Sequence, residues 1–286
     1  MRPAPGRPPF TVAFQGALGA FSDEAITLLW NGAAESVPKR EFLEVARSVE
    51  SGEAEYGLLP IENTLAGSVV ESHDALAACL GLHAVAEVVL PIHHCLLAPA
   101  GATVEGLRLV ESHPVALAQC RAFFRRHAHL EARAAYDTAG AARDVARRGD
   151  STTAAIAGRG AGRRYGLTIL EADIEDRPDN QTRFLAVARA PAVLPEGVPA
   201  RTALLVTTEN VPGALLRVLE PLAEHGINLN TLESRPTTVP WSYRFFLEME
   251  HPAGHPPAAA AVQRIRRAAQ SLRVLGVYPR WFPPTR

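Results

Sequence analysis

The stretch that decides the fold runs Tyr56-Gly-Leu-Leu-Pro-Ile-Glu-Asn-Thr-Leu-Ala-Gly-Ser-Val-Val-Glu71. Tyr56–Ile61 is an apolar run that reads as a buried strand. Three polar residues, Glu62, Asn63 and Thr64, follow at once. Ser68-Val-Val-Glu71 then fits a capping box and opens a helix through Leu80. Strand, polar cluster and helix form the repeating unit of an α/β domain. In such domains ligands gather outside the carboxyl ends of the strands.

The same order recurs on both sides. Upstream, Thr11–Gln15 is a strand and Gly16–Phe21 a turn. Ser22 caps a helix with Asp23 and Glu24 in its first turn. Glu41–Glu53 is an amphipathic helix. Downstream, Leu107–Val110 is a strand ending in Glu111-Ser112-His113. Pro114 suits the first position of a helix that runs to about His127. Ala134–Tyr136 leads through Asp137-Thr138 to a helix ending at Arg148. Ala154–Ala157 is a strand before an arginine-rich helix, and Ile169–Ala172 and Arg183–Ala188 close the set. Strands alternating with helices predict a largely parallel sheet, or two such sheets.

Ala190–Pro199 holds three prolines and reads as a linker. Beyond it the pattern changes. Strand Thr202–Thr207, helix Pro212–His225 closed by Gly226, strands Ile227–Glu233 and Trp241–Glu250, helix Ala258–Leu272 and strand Val274–Tyr278 give the order βαββαβ. That is the ferredoxin-like split unit. Pro221 is out of place in it: an interior proline costs about 3 kcal/mol unless the helix kinks or starts late.

Composition narrows the function classes. The 286 residues favour two domains, and 47% hydrophobic with 21% charged excludes a mostly disordered chain. Basic and acidic residues nearly cancel, 29 against 30, so a basic surface for nucleic acid is not indicated. Lys39 is the only lysine. Schiff-base, pyridoxal or phosphate-loop chemistry therefore has one candidate, and no glycine-rich loop precedes it. A fixed cation for substrate is expected to be an arginine. Cys79, Cys95 and Cys120 are odd in number and lack CxxC spacing. They argue against a disulfide framework and a zinc site, and fit a reducing cytoplasm. Arg2 and Arg7 before the apolar Phe10–Phe21 loosely imitate a signal peptide, but Gln15 and four prolines in residues 1–9 weaken it, and those nine read as a loose arm. Residues 88–104 are the most apolar stretch, and Pro91, His93, His94 and Pro99 break them up, so no membrane span is expected.

Each motif has a chemical and a structural reading. Gly16–Ser22 could meet an anion with its N–H groups, or form a tight turn with a helix cap. Glu62-Asn63-Thr64 could line a site, or Asn63 could bond its own backbone in a turn. Ser112-His113-Pro114 with Gln119 could be polar site groups, or a cap and a surface amide. In Asp179-Asn180-Gln181-Thr182-Arg183-Phe184, alternation sends Thr182 and Phe184 to one face and Arg183 to the other. The structural reading is a strand entry with Arg183 in solvent. His93-His94 finds no third metal ligand at a sensible spacing and reads as strand or turn. Arg163-Arg164 and Arg264, Arg266, Arg267 read as solvated helix faces, against an interface or anion site.

Taken in order, these motifs closely resemble the prephenate dehydratases. Gly16–Ser22, Leu59–Val69, Ser112–Cys120 and Asn180–Phe184 match four of that family's signatures. Pro212-Gly213-Ala214-Leu215, Asn228-Leu229 and Glu233-Ser234-Arg235-Pro236 are similar to its phenylalanine-binding motifs. Ala17 stands where the family has proline, and Val115 where glutamine commonly follows Ser-His-Pro. The resemblance covers residues 10–282. It implies a two-lobed, periplasmic-binding-protein-like α/β catalytic domain over residues 10–190, a linker at 191–200 and a ferredoxin-like ACT regulatory domain at 201–282. It also implies decarboxylating dehydration of prephenate to phenylpyruvate, with no cofactor or metal, no nucleic acid and no membrane, in a homodimer or homotetramer. With no room in front for a chorismate mutase region, a monofunctional chain is expected.

The implied roles fall on named residues. Thr182 is the essential hydroxyl, a neighbour such as Glu62 or a water supplies the proton, and Arg183 or backbone N–H groups hold a carboxylate. Ser22, Asn63, Thr64, Ser68, Ser112, Gln119, Asn180 and Phe184 complete the substrate cleft. Gly213, Ala214, Leu215, Asn228, Leu229, Glu233, Ser234, Arg235 and Pro236 bind the effector phenylalanine. Arogenate dehydration and non-catalytic small-molecule binding are the competing readings.

Overall fold

The structure, a computed structural model, describes residues 10–283, so the arm expected at 1–9 lies outside them. The first lobe runs β1 (Phe10–Gln15), α1 (Phe21–Trp30), β2 (Ala34–Lys39), α2 (Phe42–Ser51), β3 (Tyr56–Asn63), β4 (Gly67–Ser68), α3 (Val70–Ala78) and β5 (His83–Pro91). The second runs β6 (Cys95–Ala98), β7 (Leu109–Ser112), α4 (Pro114–Ala118), α5 (Arg121–Arg126), β8 (Glu131–Ala134), α6 (Thr138–Arg148), β9 (Thr153–Ala157), α7 (Arg159–Tyr165) and β10 (Thr168–Glu171). The chain then returns to the first lobe as β11 (Gln181–Ala188). The C-terminal unit is β12 (Pro199–Thr207), α8 (Ala214–Glu224), β13 (Asn228–Pro236), β14 (Tyr243–Pro252), α9 (Pro256–Ala268) and β15 (Ser271–Pro279).

Three sheets result. The first has the order β2-β1-β3-β11-β5, with β4 paired to β3; the second β10-β6-β9-β7-β8; the third β13-β14-β12-β15. The first two are mixed rather than largely parallel. β1, β2 and β3 run parallel, but β11 comes back from the other lobe and enters antiparallel between β3 and β5. In the second sheet β6 opposes β9 and β10 in the same way. β2 was not anticipated. Its residues, Ala-Glu-Ser-Val-Pro-Lys, lack the apolar signal because an edge strand is held mainly by its backbone ladder to β1.

Several helix ends also differ. Ala20, not Ser22, is the N-cap of α1, and Asp23 accepts the Gly19 N–H at 2.7 Å, while Ser22 is buried in the first turn. Val69, not Ser68, caps α3, because Ser68 is drawn into β4 opposite Glu62. The helix expected from Pro114 to His127 breaks at Gln119-Cys120. The Asp176 carboxylate accepts the N–H groups of Arg121 (3.1 Å) and Ala122 (2.8 Å) and so starts a new helix. α8 starts at Ala214, so Pro221 does lie in its interior.

One apolar cluster joins the two lobes, placing Phe14, Ile26 and Trp30 with Ala142, Val145 and Ala161. A second joins the first lobe to the third sheet, placing Ile61, Leu76 and Leu185 with Ala203, Phe246, Leu275 and Tyr278. The C-terminal unit therefore shares a core with the first lobe. Arg273 of β15 donates to the carbonyls of Leu76, Cys79 and Leu82 at 2.7–3.1 Å, satisfying the open end of α3. Gly276 of β15 lies so close to β5 that a Cβ there would meet the Ala84 carbonyl oxygen at 2.1 Å.

Candidate active site

Strand direction assembles the site. β1, β2 and β3 end at Gln15, Lys39 and Asn63, and antiparallel β11 begins beside them with Thr182 opposite Asn63. The two crossings between lobes meet at the same end, where the Ile92 N–H donates to the Asn180 carbonyl at 2.9 Å.

A row of amides runs from Thr182 into the second lobe. Asn63 Oδ1 accepts the N–H groups of Leu65 and Ala66, which fixes the amide as a turn. Its Nδ2 then donates to Thr182 Oγ1 (2.9 Å), Asn180 Oδ1 (2.8 Å) and the Gln181 carbonyl (3.1 Å). Asn180 Nδ2 donates to Gln119 Oε1 at 3.2 Å, and His94 Nε2 lies 2.8 Å from the same oxygen. Asn63 fills the acceptor side of the Thr182 hydroxyl, so the hydroxyl's own hydrogen is left to donate elsewhere. Asn63 makes the turn, and the turn aims its amide at Thr182. Gln119 is at the break between α4 and α5, half-buried, rather than a surface amide. Burial holds His94 below the ordinary histidine range, so it is a neutral donor at the end of the row.

The other residues singled out in the sequence divide. Thr64 joins the same corner: its Oγ1 accepts the Gln181 N–H at 2.9 Å and its hydroxyl donates to the Asp179 carbonyl at 3.3 Å. Ser112 does not, because its buried hydroxyl donates to the Ile156 carbonyl at 2.6 Å and pins β7 to β9. Phe184 is buried in the core that joins the lobes. Ser68 Oγ turns away and donates to Glu233 Oε2, across the boundary with the C-terminal unit, at 2.7 Å.

Arg183 is not in solvent, and its guanidinium is not open to a ligand carboxylate. It is buried against three carboxylates: Glu248 of β14, which takes both Nη1 (3.1 Å) and Nη2, Glu87 at 3.3 Å and Glu62 at 3.5 Å. Burial opposes its charge most strongly, but Glu248, Tyr278 and Glu87 together raise the arginine further. The same pairing holds the Glu248 carboxyl below its usual range, although burial alone would push it up. Glu62, half-exposed at 52%, therefore faces Arg183, while Asn63 is the neighbour of Thr182.

A cleft of about 870 Å³ opens between the lobes at the ends of β1 and β2; its walls do not include Thr182, Asn63, Asn180 or Gln119. Lys39 and Arg40 line it from the first lobe, and Arg143, Arg164, Tyr136 and Tyr165 from the second. Lys39 also pairs with Glu53 at 2.6 Å, and Arg143 with Asp144 at 3.2 Å. These cations carry little local signal. Lys39 ends an edge strand without an apolar pattern, and Arg164 lies in a charge run that resembles a solvated helix face. Their position at strand and helix ends facing the cleft was the available signal. Residues of the Gly16–Ser22 loop are part of the wall, and two of its N–H groups are taken by carboxylates: Ala17 donates to Asp137 at 3.0 Å and Gly19 to Asp23. Asp137 also caps α6 through Ala139 and Gly140, so one carboxylate ties the loop to the second lobe. His93 does gain carboxylate neighbours: Glu175 at 2.7 Å and Asp173 at 4.0 Å, both supplied by the return crossing. Arg159 holds Asp173, and Glu175 accepts the His94 N–H, which makes the cluster an ion-pair network.

The effector residues are also split. Ala214 and Leu215 line a cavity of about 120 Å³ with Val211, Tyr243 and Phe245. Gly213 is the left-handed cap before them, with φ 75°. Asn228 and Leu229 begin the edge strand β13, where Ser234 and Pro236 are exposed. Arg235 grips Asp74 of α3 with two bonds (2.9 and 3.1 Å), and Glu233 meets Ser68.

The model of the prephenate dehydratase family matches residues 12–192, and that of the ACT domain residues 202–270. The chain belongs to the prephenate dehydratase family. Prephenate dehydratases are hydro-lyases, and this one carries the ACT unit behind its two-lobed α/β domain. It is 38% identical over 278 residues to arogenate dehydratase/prephenate dehydratase 2 of Arabidopsis thaliana, covering 94% of this chain and 72% of the relative. Among solved structures, prephenate dehydratase in complex with L-Phe from Arthrobacter aurescens superposes with TM-score 0.86 at 32% identity, over 94% of this chain and 90% of that one. A structure described as GqqA, a novel type of quorum quenching acylases, superposes with TM-score 0.87 at 36% identity, over 95% and 98%.

Proposed function

We propose that the chain converts prephenate to phenylpyruvate, water and CO2 in the cytoplasm, and that phenylalanine restrains it through the ACT domain. The observation that carries this is the Thr182 hydroxyl. Its oxygen accepts from Asn63, so its hydrogen is left to meet a departing oxygen at the end of the sheet where β1, β2 and β3 finish. The electrons of the ring-to-carboxylate bond enter the ring as CO2 leaves, and the ring hydroxyl departs with a proton as water. Thr182 is too weak an acid to be the final source. It orients the leaving oxygen, and a water in the cleft delivers the proton.

The cleft cations support a dianionic substrate. With Arg183 occupied by Glu248, the carboxylate anchors are Arg40 and Arg164, one from each lobe, backed by Lys39 and Arg143. Arogenate replaces the keto group with an ammonium and keeps both carboxylates, and Glu44 in the same wall makes it the second reading. Acyl transfer fits less well still. Thr182 bonds to an amide rather than a base, and burial raises the Cys79, Cys95 and Cys120 thiols, Cys79 to about 11.

The effector set calls for two chains. Ala214 and Leu215 form one wall, while Asn228 and Leu229 lie on an exposed edge strand that a second copy would complete, so a dimer is the minimum and a tetramer the alternative. The deciding experiment supplies purified protein with prephenate and with arogenate, each with and without phenylalanine. We expect phenylpyruvate from prephenate, slower phenylalanine release from arogenate, and inhibition by phenylalanine. Turnover of arogenate alone overturns the substrate, and turnover of neither overturns the enzyme.

A further inference from the structure

Arg183, Glu87, Arg201, Glu248, Tyr278 and Thr231 form a buried polar network between the catalytic and ACT sheets. Glu248 is its centre and is fully buried. It receives Arg183 from β11, the Tyr278 hydroxyl from β15 and the Thr231 hydroxyl from β13, the last at 2.8 Å. Two details of register matter. On β11 the ladder to β3 is irregular between Arg183 and Phe184, directly after Thr182. On β13 the ladder to β14 is irregular between Leu229 and Thr231, between the two effector motifs of that strand. One carboxylate thus joins the two irregular points.

We propose that Glu248, a residue of the ACT domain, is a positioning residue for Thr182, and that Thr231 connects it to the effector strand. This rests on the reading given above and adds the route by which an α-amino acid on the ACT sheet reaches the reaction. A bulged edge strand is the element of a sheet that shifts most easily. Moving β13 pulls Thr231 from Glu248, and turning Glu248 shifts Arg183 toward its other partners, Glu87 and Glu62, because a buried guanidinium must stay paired. Arg183 is covalently next to Thr182, so the hydroxyl moves with it. The rim pairs Ser68–Glu233 and Asp74–Arg235 make β13 part of the same joint.

The test uses the full-length chain and the substitutions Thr231→Val and Glu248→Gln. Initial rates of phenylpyruvate release are measured with and without phenylalanine, phenylalanine binding by calorimetry, and amide hydrogen exchange at residues 181–184. Thr231→Val should keep its basal rate and bind phenylalanine, yet need about tenfold more for half-inhibition, within the range of a typical allosteric coupling. Glu248→Gln should lose about tenfold or more in kcat with KM nearly unchanged, as expected when positioning rather than binding is lost. Phenylalanine should alter exchange at 181–184 in the unmodified protein and not in Thr231→Val. If Thr231→Val is inhibited as before with the same exchange response, the inference is wrong, whether or not Glu248→Gln folds. If the unmodified chain makes no phenylpyruvate, the proposed reaction fails separately, and the exchange response still decides the link.

Discussion

The partner that matters at the Thr182 hydroxyl is an amide, and an amide does not titrate. Thr182→Ala should therefore lower turnover by about 100-fold or more at every pH, because it removes a positioned donor rather than an ionising group. Melting should change little, and near-normal turnover would end the assignment. Acid sensitivity belongs to other residues. His73 is buried edge-on to Phe246 at 4.6 Å and His94 is buried beside Phe21, and burial lowers both below the ordinary 6.5. In that window the unfolded chain binds protons that the folded chain refuses, so stability rises with pH up to about 6.5 and is lost as pH falls through the depressed values. Urea midpoints should drop from about pH 7 to about pH 5, and His73→Leu should flatten the trend. A flat profile for the unmodified protein would show that these rings do not control it.

Among elements, helix caps do more than end helices. Asp137 starts α6 and also receives Ala17 from the opposite lobe. Asp137→Ala should cost about 2 kcal/mol, the upper end for a lost cap, because a second N–H is orphaned with it; chemical denaturation measures this, and a loss near zero would refute the double role. The elements also show what the sequence held. Strands β3, β9 and β12 announce themselves through apolar runs, and Asp137-Thr138 and Pro114 mark true helix starts. Edge strand β2 and the break at Gln119 left no local mark, since the first depends on a neighbour's backbone and the second on Asp176, more than fifty residues away. The candidate site divides in the same way. Asn63, Asn180 and Thr182 are legible because motif order places them at strand ends, while Gln119 joins them only through the break between α4 and α5. The turning of Arg183 and Ser68 toward the ACT unit was hidden, because their partners Glu248 and Glu233 lie on strands far along the chain.

For the whole molecule, the cleft draws cationic side chains from both lobes. Arg40 and Arg164 come from different lobes. Replacing both with glutamine should raise KM for prephenate by about tenfold or more, roughly the value of one charge-assisted hydrogen bond, with kcat largely kept. Steady-state kinetics would read it, and an unchanged KM would move the anchors elsewhere. The ACT unit is likewise more than an appendage, since it completes the first lobe's core and the end of α3. At Gly276 the two main chains are separated by less than one methyl group. The joint therefore works as a lock with a single bare tooth: any larger residue there must part the sheets. A one-carbon change, Gly276→Ala, should therefore force β15 away from β5 and loosen the joint between the two units.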